Sequence, residues 1–240
     1  PAPGVGGVPV GVCTPGRRPM TVHLGPLLIG AADPAAVTGF WEAALGEPPC
    51  RRHLAIRPQR RAKVVKNRVH VDLYVHDVAA LLALGARVLA EYLPDRVTLA
   101  DVEGNEFGAL IEPDRRSESE PPARVFAVCI DSDRPEDLAA CWAPLLGAEI
   151  GAGPDGTMRW LYGAGGRPEL IWNFVRVADE RLNEESTASD ERVVPNRWQW
   201  SVITGLDELV GAGATASADG LLVDPGGNEV SAPGRAMPAG

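Results

Sequence analysis

The chain has 240 residues, 45% of them hydrophobic, and its 23 basic and 32 acidic side chains give a net charge of −9. This acidic balance argues against nucleic acid and anionic membranes as partners, and it is compatible with a neutral or cationic small molecule or another protein. Four cysteines without paired metal spacing, and no stretch that suits a signal peptide or a membrane span, predict reduced thiols and a cytoplasmic location.

The first elements can be predicted in chain order. Residues 1–19 are rich in proline and glycine, which predicts a disordered tail, and Met20 is a candidate start of the natural protein. Residues 24–32 are an apolar strand, after which Asp33 is the predicted N-cap of a helix, Pro34 its first residue and Gly46 its end. Apolar residues at spacings of three and four place one helix face in the core: Val37, Phe40, Trp41, Ala44 and Leu45.

A strongly alternating strand follows at residues 68–75. Because successive side chains of a strand point to opposite faces, Arg68, His70, Asp72 and Tyr74 share a polar face. The opposite, valine-rich face must be covered by other parts of the fold.

Much of this pattern returns in the second half of the chain. Asn67-Arg68 corresponds to Asn196-Arg197, and Asp-Val-Glu-Gly-Asn-Glu at 101–106 corresponds to Asp-Pro-Gly-Gly-Asn-Glu at 224–229. A strand at 124–130 and a helix with Asp133 as its predicted N-cap repeat the first strand and helix. The repeat predicts copy 1 at 20–113 and copy 2 at 124–240, joined by a charged linker at 114–123.

Copy 2 is longer than copy 1 in the middle. Between its first helix and its Asn-Arg pair it has two predicted strands, at 158–162 and 169–175, where copy 1 has one at 53–57. The rest of the excess is a polar, mostly acidic segment at 176–194, which predicts a mobile loop. Such a loop is either a lid over a site or a solvated insertion.

Paired strand–helix–three-strand units, opened by Asn-Arg-Val-His-Val-Asp-Leu at 67–73 and closed by Asp-Val-Glu-Gly-Asn-Glu-Phe at 101–107, resemble the vicinal oxygen chelate superfamily. The closer resemblance is to its glyoxalase/bleomycin resistance protein-like members, in the glyoxalase-like branch from actinobacteria. It implies an α+β fold of tandem glyoxalase-like domains built from paired βαβββ modules, with strands missing from the first module of copy 1. It implies no single activity, because the superfamily includes lyases, isomerases, dioxygenases and proteins that sequester antibiotics.

The resemblance also bears on metal binding. Metal enzymes of the superfamily hold a divalent ion with about four His, Glu or Gln side chains on the inner face of a cup. His70 matches one of these histidines, and Gln199 takes the corresponding place in copy 2. The other ligand places hold poor donors or none: Gly108, Ser231, Arg57 and Asn173. So few donors predict a protein without metal or other cofactor, although pairing of the copies could still bring ligands together.

The predicted cup of copy 1 offers groups for catalysis. His70 and Asp72 can act as an acid/base pair, Arg57 can polarise a carbonyl, and Tyr74 can offer a hydroxyl or a stacking surface. The alternative is a structural ion pair between Asp72 and Arg68, with His70 as a residue that lost its role. Arg68 is also a candidate for ligand binding, although it is the stronger structural candidate because copy 2 keeps its counterpart.

In copy 2, Asn173 and Gln199 are predicted to contact the ligand, and aromatic residues can form a wall for a planar molecule. Trp160 and Trp172 are the candidates for this wall. By strand alternation, however, Trp172 faces the core.

Three functions stay open. The first is binding, by sequestration or carriage of an aromatic or polyketide-like metabolite of secondary metabolism. The second is a metal-independent lyase or isomerase that uses His70, Asp72 and Arg57. The third is structural, with copy 1 acting mainly as a permanent partner of copy 2, so that the tandem is a pseudo-dimer; a homodimer of the whole chain is a further option.

Overall fold

The structure is a computed structural model that describes residues 21–46, 49–60, 63, 66–92, 95–112, 120–177, 196–216 and 222–231. Its elements in chain order are β1 (His23–Leu24), β2 (Leu27–Ala31), α1 (Pro34–Leu45), α2 (Pro49–His53), β3 (Leu54–Pro58), β4 (Val69–Val75), α3 (Ala79–Ala83), β5 (Arg87–Tyr92), β6 (Arg96–Ala100), β7 (Glu106–Ile111), β8 (Ala123–Ser132), α4 (Pro135–Leu145), β9 (Glu149–Gly151), β10 (Trp160–Tyr162), a 3₁₀ turn (Ala164–Gly166), β11 (Ile171–Arg176), β12 (Trp198–Thr204), α5 (Leu206–Gly211), β13 (Thr215–Ala216), β14 (Leu222–Val223) and β15 (Glu229–Ser231).

Some expectations fall on other parts of the chain. The tail at 1–19, most of the linker and nearly all of the acidic loop lie outside the described residues, so these assignments stay predictions. Within the described residues, no helix has the length and apolar character needed to cross a membrane.

The strands form two sheets, and each sheet draws on both copies. Sheet I has seven strands, in the order β13-β14-β15-β12-β2-β3 with β1 also paired to β12, and sheet II has eight, in the order β5-β6-β7-β4-β8-β11-β10-β9. The two copies meet where β2 pairs with β12 in sheet I and where β4 pairs with β8 in sheet II, both antiparallel. The polar face of each sheet is therefore shared between the copies.

This topology corrects the expected cup of copy 1. Strand β3, which carries Arg57, lies in sheet I, whereas β4, which carries His70 and Asp72, lies in sheet II. The sequence alternation assigns side chains to faces, but it holds no information on which distant strands become neighbours.

The two long helices begin differently. The Asp33 carboxylate accepts hydrogen bonds from the backbone N–H groups of Ala35 and Ala36, both at 3.1 Å, as predicted for α1, which ends at Gly46 with a positive φ of 72°. Helix α4 has Arg134 as its N-cap, so the prediction of Asp133 was wrong. No described side chain caps α4; the Ser132 hydroxyl accepts from the Arg134 N–H at 3.1 Å just before the helix begins.

Both long helices bury a tryptophan that connects the two sheets. Trp41 of α1 packs edge-on against Trp198 of sheet I, with ring centroids 5.6 Å apart, and against Phe107 of sheet II at 5.2 Å. Trp142 of α4 repeats this between Trp200 and Trp172, at 6.1 and 5.7 Å. The helices therefore form a central layer, and the predicted core role of these stripes is confirmed by their burial.

The repeated Asn-Arg pair joins the two copies reciprocally. The Arg68 backbone N–H donates to Asn196 Oδ1 at 3.0 Å, and the Arg197 backbone N–H donates to Asn67 Oδ1 at 3.2 Å. The two hydrogen bonds are therefore reciprocal, as at an isologous two-fold interface.

The two arginine side chains extend the reciprocity. Arg68 donates to the backbone carbonyls of Gly226 and Gly227 in the last hairpin of copy 2. Arg197 donates to the Gly30 carbonyl at 3.1 Å and pairs with Glu103 in the corresponding hairpin of copy 1. Arg68 is thus a structural residue of the interface, but its partners are these carbonyls and not Asp72, which pairs with Arg96, so the predicted Arg68–Asp72 ion pair was wrong.

Candidate functional site

The strongest cluster of polar groups lies on the polar face of sheet II, and we call it site A: His70, Asp72, Cys129 and Asn173. The register of the sheet places His70 directly opposite Cys129, which in turn neighbours Asn173. Since paired residues of adjacent strands share a face, β4 of copy 1 and β8 and β11 of copy 2 bring these side chains together.

The atoms of site A are close enough to act on one ligand. His70 Nε2 lies 3.5 Å from Asp72 Oδ1, and Asn173 Nδ2 lies 3.8 Å from Cys129 Sγ. One donor atom each from His70, Asp72 and Cys129 lies within 4.8 Å of the others. Cys129 is fully buried, whereas His70 keeps 14% of its side chain exposed, so the site is reached past the imidazole.

Asp72 takes the space of a missing side chain. Position 108, where the resemblance implies a carboxylate, is a glycine directly beside Asp72 in the parallel pair of β4 and β7. A Cβ atom at Gly108 would collide with Asp72 Oδ1, so the glycine leaves room for the Asp72 carboxylate. Arg96 donates to Asp72 Oδ2 at 3.0 Å and holds that carboxylate in place.

Three buried polar atoms of site A have no hydrogen-bond partner within the described residues: His70 Nδ1, Asp72 Oδ1 and Asn173 Oδ1. A buried polar group without a partner costs about 1–3 kcal/mol, and buried polar atoms are paired in most proteins. Their presence in one cluster indicates a site whose ligand provides the missing partners.

Burial also sets the protonation of the cluster. Burial is the largest effect on the pKa of His70 and lowers it. Asp72 and Asp131 raise this pKa, whereas the positive charges of Lys66 and Arg96 lower it further. The net effect lowers the pKa, so the imidazole is neutral at pH 7. Burial, followed by the nearby Asp72 charge, raises the pKa of Cys129 well above its usual range, so this residue is a thiol in the unliganded site.

Aromatic groups flank site A on the same sheet. Tyr74 stacks on Phe126 with ring centroids 3.9 Å apart and an angle of 24°, and the Arg124 guanidinium lies 4.7 Å above the Tyr74 ring. Trp160 pairs with Asn173 across β10 and β11 and is partly exposed, in keeping with the predicted aromatic wall. Trp172 is buried on the opposite face, as strand alternation predicts, and stacks on Trp200, so it does not contact site A and its role as a ligand contact stays a prediction.

A second polar group, site B, lies in sheet I and consists of Arg57, Gln199 and Glu229. Arg57 donates to the Gln199 side-chain oxygen, and the Gln199 amide donates to Glu229 and to the Asn196 carbonyl. Burial lowers the pKa of Arg57, and Glu229 opposes this effect. Gln199 is 1% exposed, and both its amide oxygen and its amide nitrogen already make hydrogen bonds. It was predicted to contact the ligand, but in the structure it holds the Arg57 side chain in place.

The sequence found two of the four residues of site A by alternation and a third, Asn173, by resemblance. Cys129 and Arg96 were missed as site residues. Cys129 lies two residues after Ala127 and two before Asp131 in an alternating strand, so the sequence could predict which face it shares with them. The sequence could not predict that Cys129 would lie opposite His70.

Site A also fits a divalent metal ion of the kind that the fold family implies. One ligand atom each of His70, Asp72 and Cys129 lies within 4.8 Å of the others, which is close enough for the three to hold one ion. Asp72 Oδ1 and Asn173 Oδ1 have no other partner among the described residues, and Arg96 uses only the second Asp72 oxygen. Such a mixed donor set suits a borderline-soft ion such as Zn²⁺. The predicted absence of metal stays a prediction.

Comparison with known proteins agrees with this fold. A family model described as a glyoxalase-like domain matches residues 27–110. No curated protein has a sequence that matches the chain significantly.

Among solved structures, a putative dioxygenase from Bacillus subtilis subsp. subtilis str. 168 aligns with a TM-score of 0.56 and 12% identity, over 92% of this chain and 87% of that one. Glyoxalase I from Zea mays aligns with a TM-score of 0.53 and 12% identity, over 88% and 92%. The chain therefore shares its fold with these glyoxalase and dioxygenase structures, and residues 27–110 match the glyoxalase-like family model.

Proposed function

We propose that site A is the working centre of the protein and that it binds a small organic molecule without a metal ion. The observation that carries this proposal is the cluster of unpartnered buried atoms on His70, Asp72 and Asn173. A ligand with both a hydrogen-bond donor and an acceptor would pair with them. The flanking stack of Tyr74 and Phe126, with Trp160 on the other side, suits an aromatic or polyketide-like molecule.

The chemistry that this site supports is proton transfer, as in a glyoxalase-like lyase or isomerase. A neutral imidazole can take a proton from a carbon next to a carbonyl group and return it at another position. Asp72, fixed by Arg96, lies 3.5 Å from the imidazole and would stabilise its protonated form. Arg57 is excluded from this scheme because it belongs to site B, so Arg96 is the cation near the reacting groups.

Isotope exchange tests this proposal before the natural substrate is known. The protein is incubated in D₂O with a panel of aryl ketones and α-hydroxy ketones, and NMR measures deuterium incorporation at the carbon next to the carbonyl. We expect incorporation that Asp72→Asn and His70→Ala abolish. Asp207→Asn, on the exposed first turn of α5, is the matched control that keeps it.

The outcome also separates catalysis from sequestration. Saturable binding of an aromatic ketone without isotope exchange, unaffected by His70→Ala, would support a binding protein and end the catalytic proposal. Neither binding nor exchange across the panel would count against site A as a site for such carbonyl compounds.

A divalent metal is the second candidate occupant, favoured by the 4.8 Å spacing of the His70, Asp72 and Cys129 donors. A bound ion would act as a Lewis acid that polarises a substrate oxygen. Elemental analysis of protein purified without chelator decides between the candidates. Stoichiometric zinc, nickel, iron or manganese, together with exchange activity that chelation removes, would overturn the metal-free proposal. A homodimer and a cytoplasmic location stay predictions.

A further inference from the structure

A cavity of about 120 Å³ lies between sheets I and II, and it is separate from site A. Val71 and Val128 line it from sheet II, and they lie on the face opposite to His70 and Asp72. Leu27 and Trp200 line it from sheet I. Its walls therefore come from both copies and are mainly apolar.

The cavity has the size of one aromatic ring. Apolar cavities of about 150 Å³ bind benzene when they are empty of water. The stacked pair of Trp172 and Trp200, with ring centroids 4.2 Å apart at an angle of 8°, provides a flat wall. An apolar body of this size could pack against it.

Two of the polar groups at the cavity, the Arg167 guanidinium and the Trp200 indole N–H, are hydrogen-bond donors, and neutral His53 can donate or accept. The Arg167 guanidinium makes no hydrogen bond or ion pair with any described residue, although it is only partly exposed. The buried indole N–H of Trp200 and the buried Nδ1 of His53 also have no partner in the described ranges. A ligand that satisfies these groups must bring acceptor atoms.

The local charge favours an anion in spite of the acidic chain. Arg167 and Arg52 both lower the pKa of His53, and Glu169, which pairs with Arg52 at 2.9 Å, opposes them. Burial is the larger effect, and together they lower the His53 pKa to about 4. Glu169 also acts on Arg167, so two arginines and one carboxylate leave an excess of one positive charge beside the cavity.

We propose that this cavity binds a small apolar carboxylate, with its carboxylate on Arg167 and its hydrocarbon or aromatic body against Trp200 and Val128. The site is independent of site A, because it lies behind sheet II and uses none of the same side chains. Nearby His53, neutral before binding, can accept or donate one hydrogen bond to the ligand.

Benzoate and its neutral analogue benzyl alcohol test the proposal on the full-length protein. We expect benzoate to quench tryptophan fluorescence saturably and to bind about tenfold or more tightly than benzyl alcohol. Arg167→Gln should weaken benzoate binding by about tenfold or more. Arg124→Gln, which removes the exposed arginine beside site A, is the matched control and should leave it unchanged.

A second measurement does not depend on any variant folding. NMR titration of His53 should show that bound benzoate raises its pKa, because an anion favours the imidazolium. The proposal is overturned if benzoate does not bind at millimolar concentration, or if both probes bind equally. It is also overturned if Arg124→Gln weakens binding and Arg167→Gln does not, because benzoate would then occupy site A.

Discussion

His53 shows how one buried side chain can make stability depend on pH. Its pKa falls from 6.5 to about 4, first through burial and then through Arg167 and Arg52. The unfolded chain therefore takes up a proton below about pH 6.5, whereas the folded chain resists it until about pH 4. The free energy of unfolding should fall as the pH drops through this window.

We expect His53→Gln to reduce this loss of stability on acidification. The difference between the wild type and the variant, measured by urea unfolding at about pH 7 and about pH 4.5, should be about 1–2 kcal/mol once partial exposure of the ring is allowed for. Carboxylates that titrate in the same pH range affect the stability of both proteins equally, so their contribution cancels in this comparison. Parallel stability curves for the two proteins would contradict the assignment.

Single residues also show what the sequence could predict at site A. Alternation in residues 68–75 predicted that His70 and Asp72 share one face, and the 3.5 Å between His70 Nε2 and Asp72 Oδ1 agrees with this. The presence of Cys129 opposite His70 could not be predicted, because strand register between residues far apart in sequence depends on the whole fold. Arg96 was missed for the same reason.

At the scale of elements, a repeated indole–carboxylate hydrogen bond joins each long helix to a hairpin. The Trp41 indole N–H donates to Asp101 at 3.1 Å, and the Trp142 indole N–H donates to Asp224 at 2.9 Å. Each aspartate also accepts from an asparagine in the same hairpin, Asn105 or Asn228. The sequence predicted these hairpins from their Gly-Asn turns, but the indole partner is a long-range contact that only the structure reveals.

Two phenylalanine substitutions isolate the contribution of this hydrogen bond to the free energy of unfolding. Trp41 and Trp198 are both almost fully buried and touch each other, but the Trp198 indole N–H has no partner among the described residues. Trp41→Phe should therefore destabilise the protein by about 1–2 kcal/mol more than Trp198→Phe, since it removes a buried hydrogen bond to the charged Asp101 carboxylate. Chemical unfolding measures both. Equal losses of stability in the two variants would mean that the missing ring volume, and not the hydrogen bond, determines the effect.

At the scale of the whole molecule, the two copies depend on each other. Sheets I and II each combine both copies, and the Asn-Arg pairs cross between them. The sequence repeat predicted two copies and the resemblance predicted the module type. Neither could predict that the polar faces would be shared, because a repeat does not specify which module pairs with which.

The reciprocal arginines should contribute unequally to this assembly. Arg197 is nearly buried and pairs with Glu103, whereas Arg68 is partly exposed and donates to backbone carbonyls. Arg197→Ala should cost about 2 kcal/mol or more, because it removes the hydrogen bonds of a nearly buried guanidinium to Glu103 and to the Gly30 carbonyl, and Arg68→Ala about 1 kcal/mol. Thermal unfolding compares the two, and a larger loss for Arg68→Ala would contradict this ranking.

The central claim is that Asp72 of copy 1 and Cys129 of copy 2 share one site, and a thiol titration tests it most directly. With Cys13, Cys50 and Cys141 replaced by serine, thiolate absorbance against pH reports the pKa of Cys129 alone. Since the Asp72 charge raises this pKa, Asp72→Asn should lower it while the fold, checked by circular dichroism, is kept. An unchanged Cys129 pKa in the folded variant would show that the two side chains do not meet.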